Sequence, residues 1–254
     1  MLNFAIQTAR DAGRVLRDRF GRAIQISNKG DIDLVTEADL AAERVIIERI
    51  HSYFPRHSIL AEESGESITV GGGSDVKWIV DPLDGTTNYA HGYPCFCVSI
   101  AMERAGVLEI GVIYDPTRDE LFAAERGQGA TLNDRSIEVS ETFDLNSALL
   151  CTGFPYDVRL RQDFARHLHN FIMHAQGVRR DGSAALDLAY VACGRFDGFW
   201  EEGLNPWDVA AGALLVSEAG GRVSRYDGKA FDIYSPPIVA SNGLVHEAMM
   251  RLLY

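Results

Sequence analysis

The chain has 254 residues, 46% of them hydrophobic and 24% charged, a globular mixture that excludes disorder over its length. A formal net charge of -12 excludes loose binding to nucleic acid, and an anionic substrate fits only where bound cations dominate the local field. No apolar run approaches the ~20 residues of a membrane-spanning helix, so neither direct nucleic-acid contact nor a membrane is expected.

Leu2, Ala5, Ile6, Ala9, Ala12, Leu16 and Phe20 fall on one helical face, which predicts an amphipathic first helix rather than a signal peptide. A polar stretch follows, in which Ile24 and Ile26 alternate as in an edge strand. Thr36 and Asp39 have capping-box spacing and open a second helix whose apolar face is Ala42, Val45, Ile46, Ile50 and Tyr53. A short strand over 58–61 ends at Glu62 and Glu63, and Gly71, Gly72, Gly73 and Ser74 mark a surface loop. Residues 78–80 form a buried strand ending at Asp81. Residues 96–102 and 107–114 form a hairpin, and 121–124 a further strand.

From about Asp144 strands and helices alternate. Strands are expected at 149–152, 196–201 and 238–240. Helices are expected at 157–174, with Phe164, Leu168, Phe171 and Ile172 inward, then at 184–193, at 206–219 and from Asn242. Asn205 and Pro206 supply an N-cap and an N1 proline. The pattern reads as an α/β chain with helix and sheet in layers. It has an N-terminal α+β lobe, 1–144, and a C-terminal α/β lobe, 145–254, forming one catalytic unit. Cys95, Cys97, Cys151 and Cys193 make no zinc-like pair and read as free thiols of a cytoplasmic protein. The histidines form neither a nucleophile nor a zinc arrangement.

Acidic residues recur where the chain leaves buried elements: Glu62, Glu63, Asp81, Asp84 and Asp208. Carboxylates gathered at such places repel one another unless a cation neutralises them, and oxygen-only ligands suit magnesium, manganese or calcium. Pro82 restricts Asp81 to an extended conformation, so a turn can bring Asp81 and Asp84 to one side. Gly85, Thr86 and Thr87 then open a short helix whose free N–H groups can cradle phosphate.

The run Trp78-Ile79-Val80-Asp81-Pro82-Leu83-Asp84-Gly85-Thr86-Thr87-Asn88-Tyr89 resembles the signature of the inositol monophosphatase family. The resemblance extends to Asp33–Asp39, Ala61–Ser64, Gly182–Ala185, Trp207–Gly212 and Glu218–Gly221, in family order. It implies an αβαβα sandwich like that of the inositol monophosphatases and fructose-1,6-bisphosphatases. Glu62, Asp81 and the Leu83 carbonyl would bind one Mg²⁺, and Asp81, Asp84 and Asp208 a second. Glu62 would help a weaker third, and Mn²⁺ could substitute. Asp39 and Thr86 would position the attacking water. Asp84, Gly85, Thr86, Ser183, Ala184, Glu201 and Asp208 would contact the substrate, a small phosphorylated polyol.

The resemblance also implies lithium sensitivity and a homodimer. Inositol monophosphate is the leading substrate. Relatives act on fructose 1,6-bisphosphate, histidinol phosphate or 3′-phosphoadenosine 5′-phosphate, and some bacterial relatives bind transcription or RNA-processing machinery. Lys29 reads as a solvated loop lysine, and Arg179 and Arg180 stay open between substrate approach and a dimer contact.

Overall fold

A computed structural model describes residues 1–22, 26–28, 34–67, 74–155, 159, 161–235 and 237–253. Ile24, Lys29, Asp33, Gly71, Gly72, Gly73 and the expected helix start at Asp157 lie outside the described residues.

Helix α1 (Leu2–Arg19) precedes a two-stranded ribbon, β1 (Ile26–Asn28) and β2 (Leu34–Thr36), which leads into α2 (Glu37–Tyr53). The next strands are β3 (Ser58–Ala61), β4 (Gly65–Ser67), β5 (Val76–Asp84), β6 (Cys97–Arg104), β7 (Val107–Asp115), β8 (Glu120–Glu125), β9 (Ala130–Leu132) and β10 (Arg135–Ile137). They form one sheet in the order β10-β9-β8-β7-β6-β5-β3-β4, antiparallel except where β3 meets β5. Helix α3 (Thr86–Ala90) joins β5 to β6. Ala105 and Gly106, both at positive φ, close the expected hairpin between β6 and β7.

The remaining strands are β11 (Leu149–Thr152), β12 (Gly177–Arg179), β13 (Gly198–Glu201), β14 (Arg222–Ser224) and β15 (Ile238–Ser241). They build a second, mixed sheet in the order β12-β11-β13-β15-β14. Its helices are α4 (Arg161–His174), α5 (Ala184–Ala192), α6 (Pro206–Glu218) and α7 (His246–Leu252).

Strand alternation sorts these elements into five layers. Trp78, Val80, Ile100 and Val112 pack with Ala9, Ala12, Ala42 and Ile46, which places α1 and α2 on one face of the large sheet. The intervening Ile79, Ala101, Ile113 and Phe122 pack on the other face with α5 and α6. The same middle layer meets Cys151, Phe199, Ile238 and Ala240 of the second sheet. Leu150, Trp200 and Val239, on its opposite face, pack with Phe171 of α4 and Met249 of α7. The architecture is therefore an αβαβα sandwich, and the middle helices are in contact with both sheets.

Three local expectations are corrected. Asp81 does not end a strand, because β5 continues to Asp84. Ile172 and Tyr53 are 57% and 65% exposed, so neither lies inward. Phe164, Leu168 and Phe171 already complete the buried stripe of α4, and position 172 is a further 100° around the helix. The last helix begins at His246 rather than Asn242, since the Asn242 side chain accepts the Leu244 and Val245 N–H groups and holds a turn ahead of it.

Gly111 fixes how closely α6 approaches the large sheet: a Cβ there would lie 2.7 Å from the Ala211 carbonyl oxygen. Because α6 carries Asp208, Gly111→Val should displace it and destabilise the fold by about 1–3 kcal/mol. Urea denaturation measures the loss, and unchanged stability would mean that the contact is soft.

Candidate active site

On a regular strand, residues three apart point to opposite faces. Asp81 pairs with Ser99 and Asp84 with Cys97, so β5 carries one more residue than β6 between these pairs. That bulge restores Asp81 and Asp84 to one side, where both line a cleft between the two sheets. The Asp81 Oδ1 accepts the Leu83 N–H at 2.9 Å, which steadies the bulge. Gly85 follows at φ 98°, and a Cβ there would stand 2.8 Å from the Cys95 carbonyl oxygen, so the position requires glycine. It caps α3, whose first N–H groups have no partner within the helix.

The capping box at the head of α2 forms as expected. Asp39 accepts the Thr36 N–H at 2.9 Å and the Thr36 hydroxyl at 2.5 Å. Its other oxygen, Oδ1, lies 3.0 Å from the Thr86 hydroxyl, which is equally close to the Leu83 carbonyl. Asp39 is fully buried behind Thr86, while Thr86 itself lines the cleft. Withdrawal from water raises the Asp39 pKa, and the bonds from Thr36 and Thr86 oppose that rise.

The middle layer closes the cleft. Ser183 caps α5, and its hydroxyl donates to Asp84 Oδ2 at 2.6 Å. The Ala185 N–H reaches the same oxygen at 2.7 Å. The Asn88 side-chain amide donates to the Cys95 and Asp181 carbonyls, tying α3 to the approach to α5. Asp208, at the third position of α6, accepts the Asn205 N–H at 2.7 Å in a second capping box. Glu201 ends β13, is buried, and accepts the Gly153 N–H, and a Cβ on Gly153 would collide with its carboxylate.

Glu62, Asp81, Leu83, Asp84, Gly85, Thr86, Ser183, Ala184, Glu201 and Asp208 thus meet in one cleft, with Asp39 reached through Thr86. Sequence reasoning did not single out Gly153, Phe154 or Asp187, which also line it, and it gave Trp207, another lining residue, no role beyond its motif. Asp187 had a signal: an acid inside an otherwise uncharged helix, Ala184–Ala192. Arg180 stacks over the Phe154 ring at 4.8 Å, and both line the cleft.

Seven acids line the described cleft against one base, Arg180. Desolvation, followed by repulsion from Glu62, Asp84 and Asp208, raises the Asp81 pKa well above the usual carboxylate range. Asp208 is raised by desolvation and by Asp84, and Glu201 by desolvation and by Asp208. Desolvation also raises Asp84, against the bonds from Ser183 and Ala185.

Among the described residues no three acid, histidine or cysteine side chains stand close enough to enclose an ion as they are. In chemistry the donor set nevertheless fits a hard divalent cation: oxygen-only, mutually repelling and short of positive charge. A phosphate dianion could not otherwise enter so acidic a cleft.

The whole chain, residues 1–254, matches the profile of the Inositol monophosphatase family. The chain belongs to that family. It is 48% identical to an inositol-1-monophosphatase of Synechocystis, over 99% of this chain and 88% of that protein. It is 47% identical to the Nus factor SuhB of Escherichia coli K12, over 98% and 94%. The crystal structure of the extragenic suppressor protein suhB from Bartonella henselae superposes with a TM-score of 0.95 at 44% identity, covering 99% of this chain and 97% of that one. An inositol monophosphatase from Anabaena gives 0.89 at 49% identity, over 99% and 94%.

Asp84→Asn keeps a carbonyl oxygen to accept the Ser183 and Ala185 bonds while removing one of the repelling charges. In chelator the variant should be more stable than the parent by about 1 kcal/mol or more. Added Mg²⁺ should stabilise the parent, by about 2.7 kcal/mol at a hundredfold excess over its dissociation constant, and the variant far less. Thermal melts with and without Mg²⁺ read both effects, and equal Mg²⁺ stabilisation of the two proteins would mean that Asp84 does not bind the ion.

Proposed function

We propose that the protein hydrolyses a phosphomonoester of a small polyol, with inositol monophosphate the leading substrate and inositol and phosphate the products. The observation that carries this reading is the convergence of Glu62, Asp81, Asp84 and Asp208 on one cleft, with the Thr86–Asp39 pair behind it. Family membership and the named inositol-1-monophosphatases among its relatives support the same chemistry.

Glu62, Asp81, Asp84, Asp208 and the Leu83 carbonyl would hold two or three Mg²⁺ ions, or Mn²⁺ in their place. Bound metal supplies charge neutralisation, acidification of a water and stabilisation of the leaving alkoxide. The chain's own groups do the rest. The Gly85 and Thr86 N–H groups hold phosphate oxygens. Thr86 Oγ1 orients the attacking water, and the proton it loses passes through that hydroxyl to Asp39, whose raised pKa favours accepting it. The water oxygen bonds to phosphorus in line with the departing ester oxygen as the P–O bond to the alcohol breaks, the departing alkoxide takes a proton from a solvent water, and the proton held on Asp39 returns to the hydroxide so formed. No phosphoenzyme is formed.

Ser183 and Ala185 fix Asp84 for this role. Ala184 lines the cleft, and Glu201, held by Gly153, receives the polyol hydroxyls. Lithium inhibition, a homodimer and a cytoplasmic location belong to this reading through the family, and the four free thiols agree with the location.

Phosphate release from inositol 1-phosphate, fructose 1,6-bisphosphate, histidinol phosphate and 3′-phosphoadenosine 5′-phosphate tests the reading, each with Mg²⁺, chelator or Li⁺. Inositol 1-phosphate should be preferred, with activity abolished by chelator and lowered by Li⁺. Thr86→Val should reduce kcat about 100-fold or more. Preference for another ester would keep the chemistry and replace the substrate, whereas no turnover of any by folded, Mg²⁺-loaded protein would end the proposal.

The relatives named Nus factor SuhB favour a second reading, in which the fold also serves as a partner of the transcription machinery. Asp84→Asn protein should then retain a specific transcription-complex partner in a pull-down. Failure of both parent and variant to retain one would remove this reading.

A further inference from the structure

Asp187 has no part in the chemistry above, yet it lines the same cleft. It is the only Asp, Glu, Lys, Arg or His in α5, a helix whose every residue is buried. Its own exposure is 1%, and its Oδ1 has no hydrogen-bond partner. Arg180 acts on it from a distance, without an ion pair among the described residues. Burial and the neighbouring Asp181, Glu201 and Asp84 charges favour its neutral form, which carries both an O–H donor and an acceptor oxygen.

A buried carboxyl oxygen without a partner costs stability, and leucine or alanine, as elsewhere in this helix, would not. Its position suggests what offsets the cost. Residues four apart share a helix face, so Asp187 lies one turn, about 6 Å, beyond Ser183 along α5. Ser183 holds Asp84 at the metal end of the cleft. Asp187 is therefore a turn further on, and Glu201 is among the charges acting on it.

We propose that Asp187 is a specificity-determining residue whose carboxyl meets a hydroxyl of the substrate's alcohol portion, alongside Glu201. The inference rests on the polyol reading above and names a second acid that selects the alcohol. The hydroxyl supplies the partner that Oδ1 lacks, and an alcohol without it leaves that oxygen unpaired.

The test compares kcat/KM for inositol 1-phosphate and for p-nitrophenyl phosphate, whose leaving group has no aliphatic hydroxyl, in the Mg²⁺-loaded parent, Asp187→Leu and Asp187→Asn. Asp187→Leu should lower the ratio of the two values by about 10-fold or more. Asp187→Asn, which keeps a donor and an acceptor, should stay within about threefold of the parent ratio. The melting temperature of Asp187→Leu should equal or exceed that of the parent, and Asp187→Ala is read the same way if leucine is not accommodated. An equal fall for both substrates, or a ratio that does not move while the parent prefers the polyol ester, overturns the inference alone. A parent that hydrolyses nitrophenyl phosphate but no polyol phosphate overturns the polyol reading and the inference together.

Discussion

One carboxylate oxygen spans the seam of this molecule. Asp84 Oδ2 belongs to the last residue of the interior strand β5, and its two close donors, Ser183 and Ala185, belong to the head of α5. Around that junction the other acids take their places: Asp81 one bulge earlier on the same strand, Asp208 at the head of the neighbouring α6, and Glu201 at the end of β13. The Ser99 hydroxyl donates to the Trp207 carbonyl and repeats the tie one helix over. Both middle helices are thereby fixed to the large sheet by their N-terminal ends, where helix dipoles favour negative charge.

The cleft is costly for the same reason that it is useful. Burying acids together raises their pKa values and opposes folding, and the structure offsets this with directed donors rather than basic residues. Each capping box does two jobs, since Asp39 and Asp208 complete helix ends with one oxygen and leave the other for a different partner. Asp39, Asp84 and Asp208 are thus each fixed by donors from the protein itself.

What was legible in the sequence was mostly local. The Thr36–Asp39 box, the Asn205–Pro206 helix start and the Gly85 turn depend on neighbouring residues, and they stand where the pattern put them. The five layers were legible through family resemblance, whereas the face that each of Trp78, Ile79 and Val80 presents was not, since all three are apolar and buried. The bulge in β5 was not, because it exists only in the pairing with β6, and pairing register is not written into one strand. Gly153 beneath Glu201 was hidden because the contact joins distant segments. Ile172 and Tyr53 show a different limit: apolar residues at the margin of a helical stripe can face water without penalty to the fold.

The shared middle layer also bears on how the chain is made. Ile79, Ala101, Ile113 and Phe122 acquire their cover from residues 184–219, so a ribosome that has released only the first 144 residues presents an uncovered hydrophobic sheet face to the cell. That sheet must wait through much of the remaining synthesis before it is sealed, a delay during which chaperones have most to do and strand edges are most liable to mispair. Translation speed over the second half of the message therefore sets how long the nascent protein stays sticky.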